Sequence, residues 1–129
     1  MEKFKIKGID HPAVAAENVE TLSNWYCEVF GFEVIFRDPR PINLLKAPDG
    51  VILEILPIDN NPRPTRTNLT PGWSHVAFGV EDIEAGIKHL DSYDIKWSSV
   101  LSPATGGGLV RTFFDPEGNV LQLVERPKA

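Results

Sequence analysis

The chain has 129 residues, a net charge of −5 at neutral pH, 42% hydrophobic and 24% charged residues, values that fit one globular domain able to bury a core without staples. The acidic balance excludes a nucleic-acid partner and an anionic membrane surface, since both want a basic face. A single cysteine, Cys27, rules out an intrachain disulfide. With no apolar run of spanning length and a start (Met1 to Lys7) lacking a leader's apolar core, the expectation is a soluble, cytoplasmic protein.

In chain order, Ile6 to Ala16 reads as a strand of small and β-branched residues. Asn18 is a fitting N-cap for a helix from Val19 to Phe30, where Leu22, Trp25, Tyr26 and Val29 recur at helical spacing. Gly31 is placed to end it. Strands follow from Phe32 to Arg37, from Ile42 to Lys46 and from Val51 to Leu56, separated by Asp38-Pro39-Arg40-Pro41 and by the turn at Pro48-Asp49-Gly50. The first half is thus β-α-β-β-β. Pro57 to Pro71, rich in Pro, Asn, Asp and Thr, reads as a linker or a flap. The order then repeats. Ser74 to Val80 is a strand, Asp82 an N-cap, and Ile83, Ile87 and Leu90 a helical stripe. Ile95 to Val100, Leu109 to Phe114 and Val120 to Glu125 are strands, with turns at Gly106-Gly107-Gly108 and Asp115-Pro116-Glu117-Gly118.

The repetition extends to individual residues. Gly8 to Glu20 aligns with Gly72 to Glu84, matching the glycine, the histidine, an alanine and both glutamates. Ala47 to Leu56 aligns with Asp115 to Val124. A small insertion between the two alignments accounts for their different offsets. The expected fold class is therefore α+β: one domain (1–129) made of a tandem pair of βαβββ modules, about 4–58 and 72–126. Neither half is large enough to be stable easily alone, so the two sheets are expected to cover each other around a cleft with pseudo-twofold symmetry.

The repeat also places four polar side chains at equivalent positions: His11, Glu54, His75 and Gln122. Glu54 lies among Ile52, Leu53, Ile55 and Leu56, where an ionised carboxylate needs solvent, a cation or a metal. A lone histidine on an apolar strand is ordinarily a satisfied core residue. Two at one repeat position, each matched by Glu or Gln at another, point to metal binding.

These residues carry a resemblance. The Asp10-His11 strand, the helix end Trp25-Tyr26-Cys27-Glu28-Val29-Phe30-Gly31-Phe32, the Pro48-to-Glu54 hairpin, the Ser74-His75-Val76-Ala77-Phe78 strand and Phe114-Asp115-Pro116-Glu117-Gly118-Asn119 resemble the vicinal oxygen chelate superfamily over essentially the whole chain. That superfamily includes glyoxalase I, methylmalonyl-CoA epimerase, extradiol dioxygenases, fosfomycin-modifying thiol transferases and bleomycin-sequestering proteins. The resemblance implies a divalent metal (Zn, Ni, Co, Mn or Fe) on His11, Glu54, His75 and Gln122, a small-molecule substrate and a homodimer. It implies a metal-dependent lyase or isomerase like lactoylglutathione lyase, with Glu54 and Gln122 as the catalytic candidates.

Gln122 departs from the glyoxalase pattern, which has glutamate there. A carboxamide binds metal weakly and is no general base near neutral pH. The expected site is therefore a His11, His75 and Glu54 trio that Gln122 assists. The same trio suits Fe(II) oxygen chemistry, but a ring-cleaving dioxygenase wants a further histidine, and His89 reads as a solvated helix residue. A non-catalytic binder of the bleomycin-resistance type would lack the trio. A phosphonate-directed transferase would want a cluster of basic and hydroxyl residues, for which only Arg111 and Arg37 present themselves. Arg111 is read as a cavity cation for an anionic substrate group or as a partner of Glu54 or a surface charge. Gly106-Gly107-Gly108 is a lid hinge or a plain hairpin loop. Cys27, Trp25, Tyr26 and Trp73 read as core.

Overall fold

The computed structural model describes residues 4–128. Met1 to Lys3, part of the start read above as no leader, and Ala129 lie outside the described residues. The chain divides into two compact units, Met1–Asn61 and Pro62–Ala129, and the division falls inside the Pro/Asn-rich segment. Each unit is α+β.

In the first unit, β1 (Ala13–Ala16), α1 (Val19–Phe30), β2 (Glu33–Asp38), β3 (Ile42–Lys46) and β4 (Ile52–Pro57) form a four-stranded sheet in the order β1-β4-β3-β2. The β1–β4 pair is parallel and the others are antiparallel. Helix α1 starts where the Asn18 side chain accepts from the Thr21 amide at 2.9 Å, and it stops at Gly31 in the left-handed region, φ 71°. Its buried residues Leu22, Tyr26 and Val29 share a core with Leu45, Leu53 and Ile55 of the sheet. A polar stitch crosses the same interface: the buried Asn43 amide donates to Ser23 Oγ at 3.0 Å and to Glu20 Oε1 at 2.9 Å.

In the second unit, β5 (Val76–Gly79), α2 (Ile83–Asp91), β6 (Lys96–Trp97), β7 (Ser102–Pro103), β8 (Leu109–Phe114) and β9 (Val120–Glu125) repeat the plan. The sheet runs β5-β9-β8-β6, with β7 also paired to β8. Asp82 caps α2, accepting from the Ala85 amide at 3.2 Å. Ile83 and Leu90 are buried, as are Phe113, Leu121 and Leu123 on the sheet. Gly86 matters to this packing, since a Cβ there would sit 3.0 Å from the Leu123 side chain. Its absence lets the helix approach the sheet closely.

Three expectations need correction. The first strand begins at Ala13, not Ile6, because Pro12 has no N–H to donate and only its carbonyl joins the ladder, accepting from the Glu54 amide at 3.1 Å. The strand after α2 is broken into β6 and β7: Ser99 Oγ takes the Thr112 amide at 3.0 Å, replacing a strand carbonyl as acceptor. Trp73 is not core but 99% exposed, because it follows Gly72 ahead of β5, outside any ladder. Of the two readings of the triple glycine, the structure shows the hairpin loop: Gly107 N–H donates to Ala104 O, and Arg126 donates to the Thr105 and Gly107 carbonyls. A Cβ at Gly108 would collide with the Glu125 carbonyl, so that glycine is a packing requirement. Among the described residues, no helix is long and apolar enough to cross a membrane.

Candidate metal centre

Strand alternation decides which side chains share a face. In the first unit, Ala13 stands opposite Glu54 across the parallel β1–β4 pair. The neighbours Leu53 and Ile55 point toward α1, so Glu54 projects from the other face. His11 lies two residues before Ala13 and falls on that same face. The result is a pair: His11 Nε2 and Glu54 Oε2 are 3.8 Å apart, with side chains 33% and 25% exposed. That separation is long for a hydrogen bond. It is close to the separation of two donors on one ion, about 3.4 Å at a tetrahedral angle with metal–donor bonds of about 2.1 Å.

The other imidazole nitrogen of His11 is already engaged. Nδ1 lies 2.8 Å from the exposed Asp10 carboxylate. With Nδ1–H donating to Asp10, Nε2 is left as the lone-pair nitrogen turned toward Glu54. This carboxylate–histidine arrangement is the one that orients a metal-ligating ring and raises its basicity.

The second unit reproduces the register. Ala77 stands opposite Gln122 across the parallel β5–β9 pair, and His75 lies two residues before Ala77, as His11 does before Ala13. The Nδ1 of His75 is held by Ser74 Oγ at 2.8 Å. The Gln122 amide donates through Nε2 to Thr112 Oγ1 at 3.1 Å, an anchor that commits the nitrogen and leaves Oε1 as the donor atom to a cation. Leu121 and Leu123, its buried neighbours, face α2. Both histidines precede their strands rather than lying within them, a small departure from the sequence expectation. Within each unit the donor chemistry suits a divalent ion: in the first an imidazole with its second nitrogen held beside a carboxylate, in the second an imidazole held likewise and an oriented amide oxygen. Among the described residues no group of three or more His, Cys, Asp and Glu side chains is gathered that could hold a metal ion; each unit by itself presents a half-set of donors.

Arg111 is not on this face. It pairs with Leu123 across β8–β9, one residue out of phase with the Thr112–Gln122 pair. Its guanidinium lies 4.0 Å from the centre of the Trp97 ring, and Nε donates to the Ser99 carbonyl at 3.0 Å. The expectation of a cavity cation is replaced by a stacking role beside the helix. Arg37 is likewise turned toward α1, where it pairs with Glu20 at 3.1 Å. Together Arg37 and Asn43 hold the Glu20 carboxyl below the usual carboxylate range. The cation that does feel Glu54 is Arg40, gripped by Asp38 through two contacts of 2.7 Å. This grip pulls the Asp38 pKa down to about 2. Asp10, Ser74, Thr112 and Arg40 were not assigned roles from the sequence. A polar residue immediately before each repeated histidine was the one available signal.

His89 is exposed on α2 with its ring 5.3 Å from that of Tyr93. Cys27 is partly buried, and desolvation raises its thiol pKa.

Comparison with known proteins identifies the fold and the family. The family described as the Glyoxalase/Bleomycin resistance protein/Dioxygenase superfamily matches residues 8–123. An uncharacterized Escherichia coli K12 protein, YaeR, is 30% identical, covering 94% of this chain and 98% of its own. The crystal structure of a glyoxalase family protein from Enterococcus faecalis is 34% identical, with a TM-score of 0.74 over 92% of this chain and 98% of that one. A point mutant of the fosfomycin resistance protein FosX from Listeria monocytogenes, complexed with Mn(II) and 1S,2S-dihydroxypropylphosphonic acid, shares the fold at 15% identity and a TM-score of 0.73, covering 95% and 93% of the two chains. With the family matched across nearly the whole length and the repeat realised in identical strand register, this chain belongs to the Glyoxalase/Bleomycin resistance protein/Dioxygenase superfamily.

Proposed function

We propose that the protein is a metal-dependent enzyme of the glyoxalase type, acting as a lyase or isomerase on a small substrate with vicinal oxygens. The observation that carries this reading is the His11–Glu54 pair, with Asp10 holding the far nitrogen of the imidazole. In this reading His11, Glu54 and His75 hold one divalent ion and Gln122 assists through its amide oxygen. A bound ion supplies positive charge that polarises adjacent substrate oxygens. The chain's own part is orientation and proton handling. Asp10 and Ser74 fix the imidazole rings. Thr112 fixes the Gln122 amide, which can hydrogen-bond a substrate but cannot take a proton near neutral pH. Glu54 is the one carboxylate in the donor set, so proton transfer falls to it.

A ring-cleaving dioxygenase is the weaker reading, since the third histidine, His89, is on an exposed helix surface. Mn(II) in the FosX complex supports a divalent ion as cofactor here. The protein is proposed to work as a cytoplasmic homodimer, for which exposed Phe4, Ile6, Ile9 and Trp73 supply apolar area.

The test is metal analysis of protein purified without chelators, followed by hemithioacetal turnover with Ni, Co, Zn or Mn loaded. Stoichiometric metal that disappears in His75→Ala, together with turnover that disappears with it, supports the proposal. Retained metal without turnover of the hemithioacetal removes the glyoxalase assignment. Absence of metal in the wild type indicates a non-catalytic binder. Iron with catechol-dependent oxygen uptake indicates the dioxygenase.

A further inference from the structure

The second unit carries an open hollow of about 660 Å³ that includes Arg63 and Arg66 in its wall and no Asp or Glu. In a chain of net charge −5, an acid-free concavity with two guanidiniums is a local reversal of sign that draws anions.

The two arginines are positioned without being neutralised. Arg63 donates to the carbonyls of Glu117 (3.0 Å) and Gly118 (3.4 Å) and to Asn119 Oδ1 (3.4 Å). Arg66 donates to the carbonyls of Thr70 (3.1 Å), Pro71 (2.9 Å) and Trp73 (3.1 Å). All of these acceptors are uncharged. Among the described residues neither guanidinium has a carboxylate within ion-pair distance. Gly72 makes the Arg66 placement possible, since a Cβ there would lie 2.9 Å from Nη1.

The rest of the wall is suited to an oxygen-rich ligand. Ser74, Ser98, Ser99 and Thr112 bring hydroxyls, and Phe114 brings an apolar surface. Two of these residues also hold the candidate donors of the second unit: Ser74 contacts His75 and Thr112 contacts Gln122. The cavity is therefore continuous with the second half-site.

We infer that this cavity binds the anionic end of the substrate, a compact oxyanion such as a phosphonate, phosphate or carboxylate, with Arg63 and Arg66 as its recognition residues. The inference rests on the proposed function for one point only, that the remainder of the substrate extends toward His75 and Gln122. It replaces Arg111 with a pair from the linker, and it names the substrate class as a small anion bearing further oxygens.

The experiment uses the full chain, ¹⁵N-labelled and freed of metal with chelator, titrated with methylphosphonate and, separately, with acetate. Saturable shifts of the Ser74, Ser98 and Ser99 amides are expected. Arg63→Gln and Arg66→Gln should each weaken binding by about tenfold, the effect of losing one charged contact. Arg63→Lys and Arg66→Lys, with melting temperatures recorded for all four variants, show that lost binding is not lost folding. The anion that binds more tightly identifies the end group. Affinity that survives in both glutamine variants, or absence of saturable shifts with either anion, overturns the inference. Shifts that need added metal and centre on His75 overturn it as well. Metal content, measured on the same preparations, decides the proposed function independently.

Discussion

His11 and Glu54 face each other across the start of the β1–β4 pair, Nε2 to Oε2 at 3.8 Å. Their approach follows from two facts of backbone geometry. The parallel register sets Ala13 opposite Glu54, and strand alternation returns His11 to the same face. A carboxylate in an otherwise apolar strand is thereby placed next to the imidazole nitrogen that Asp10 leaves free to donate its lone pair.

If Asp10 orients His11 for metal, Asp10→Asn keeps the shape and removes the charge. Metal affinity, measured by competition with a chromophoric chelator, should fall by about 10- to 100-fold. Because Asp10 is almost fully exposed, 96%, the melting temperature of the metal-free protein should barely move. Unchanged affinity would remove Asp10 from the site.

Gln122→Glu adds an anionic oxygen in place of a neutral one. It should tighten binding of a hard or borderline divalent ion, and it should make that binding weaken as pH falls through the carboxylate range. The wild-type protein should show less of this acid sensitivity. The same competition assay, run from acid to neutral pH, checks both statements. A variant with wild-type affinity at neutral pH would mean that position 122 does not ligate.

Arg111→Ala tests the reassigned arginine. Loss of the stack on Trp97 should lower stability by about 0.5–1 kcal/mol, read from chemical denaturation. Metal content and turnover should be those of the wild type. A selective rise in KM with unchanged stability would restore Arg111 to the substrate site.

Acid should act through the carboxylates whose pKa is lowered by folding. For Glu20 the cause is its hydrogen bonding to Arg37 and Asn43; for Asp38 it is the grip on Arg40, which holds the pKa at about 2. A folded pKa below the unfolded one means a contribution that is present above the ordinary carboxylate value, roughly 4. That contribution is lost as pH falls through the folded value. Melting temperature should therefore decline from about pH 5 toward pH 2. Glu20→Gln should show a shallower decline, although the Glu20–Arg37 pair is exposed and its effect is accordingly small. Superimposable curves for wild type and variant would contradict this.

Much of the architecture was legible in the chain because its causes are local. Asn18, Gly31 and Asp82 set helix ends through their own side chains or lack of one. Period and turn chemistry delimited α1, β3, β8 and β9 to the residue. The failures also have causes. Pro12 shortened β1 because a missing N–H outweighs a favourable apolar pattern. Ser99 broke a strand by offering its hydroxyl to a backbone donor, a contact between residues that composition cannot pair. Trp73 is exposed because position relative to the strand, not residue type, decides burial.

The sequence by itself determined the duplicated plan and its four repeated polar positions, since a repeat that preserves His and Glu/Gln at equivalent places needs no coordinates to be seen. Only the tertiary structure decided the faces. Arg37 and Arg111 looked like site cations, but a strand turns over with every residue, and a shift of one position put both of them beside a helix instead. Arg63 and Arg66 fall in the segment read as a linker or flap and drew no separate reading, yet the folded second unit sets them over a hydroxyl-lined hollow next to Ser74 and Thr112. Charge can be counted along a chain. Which charges are left without a counter-ion is set by the close approach of distant segments, and that is a property of the fold.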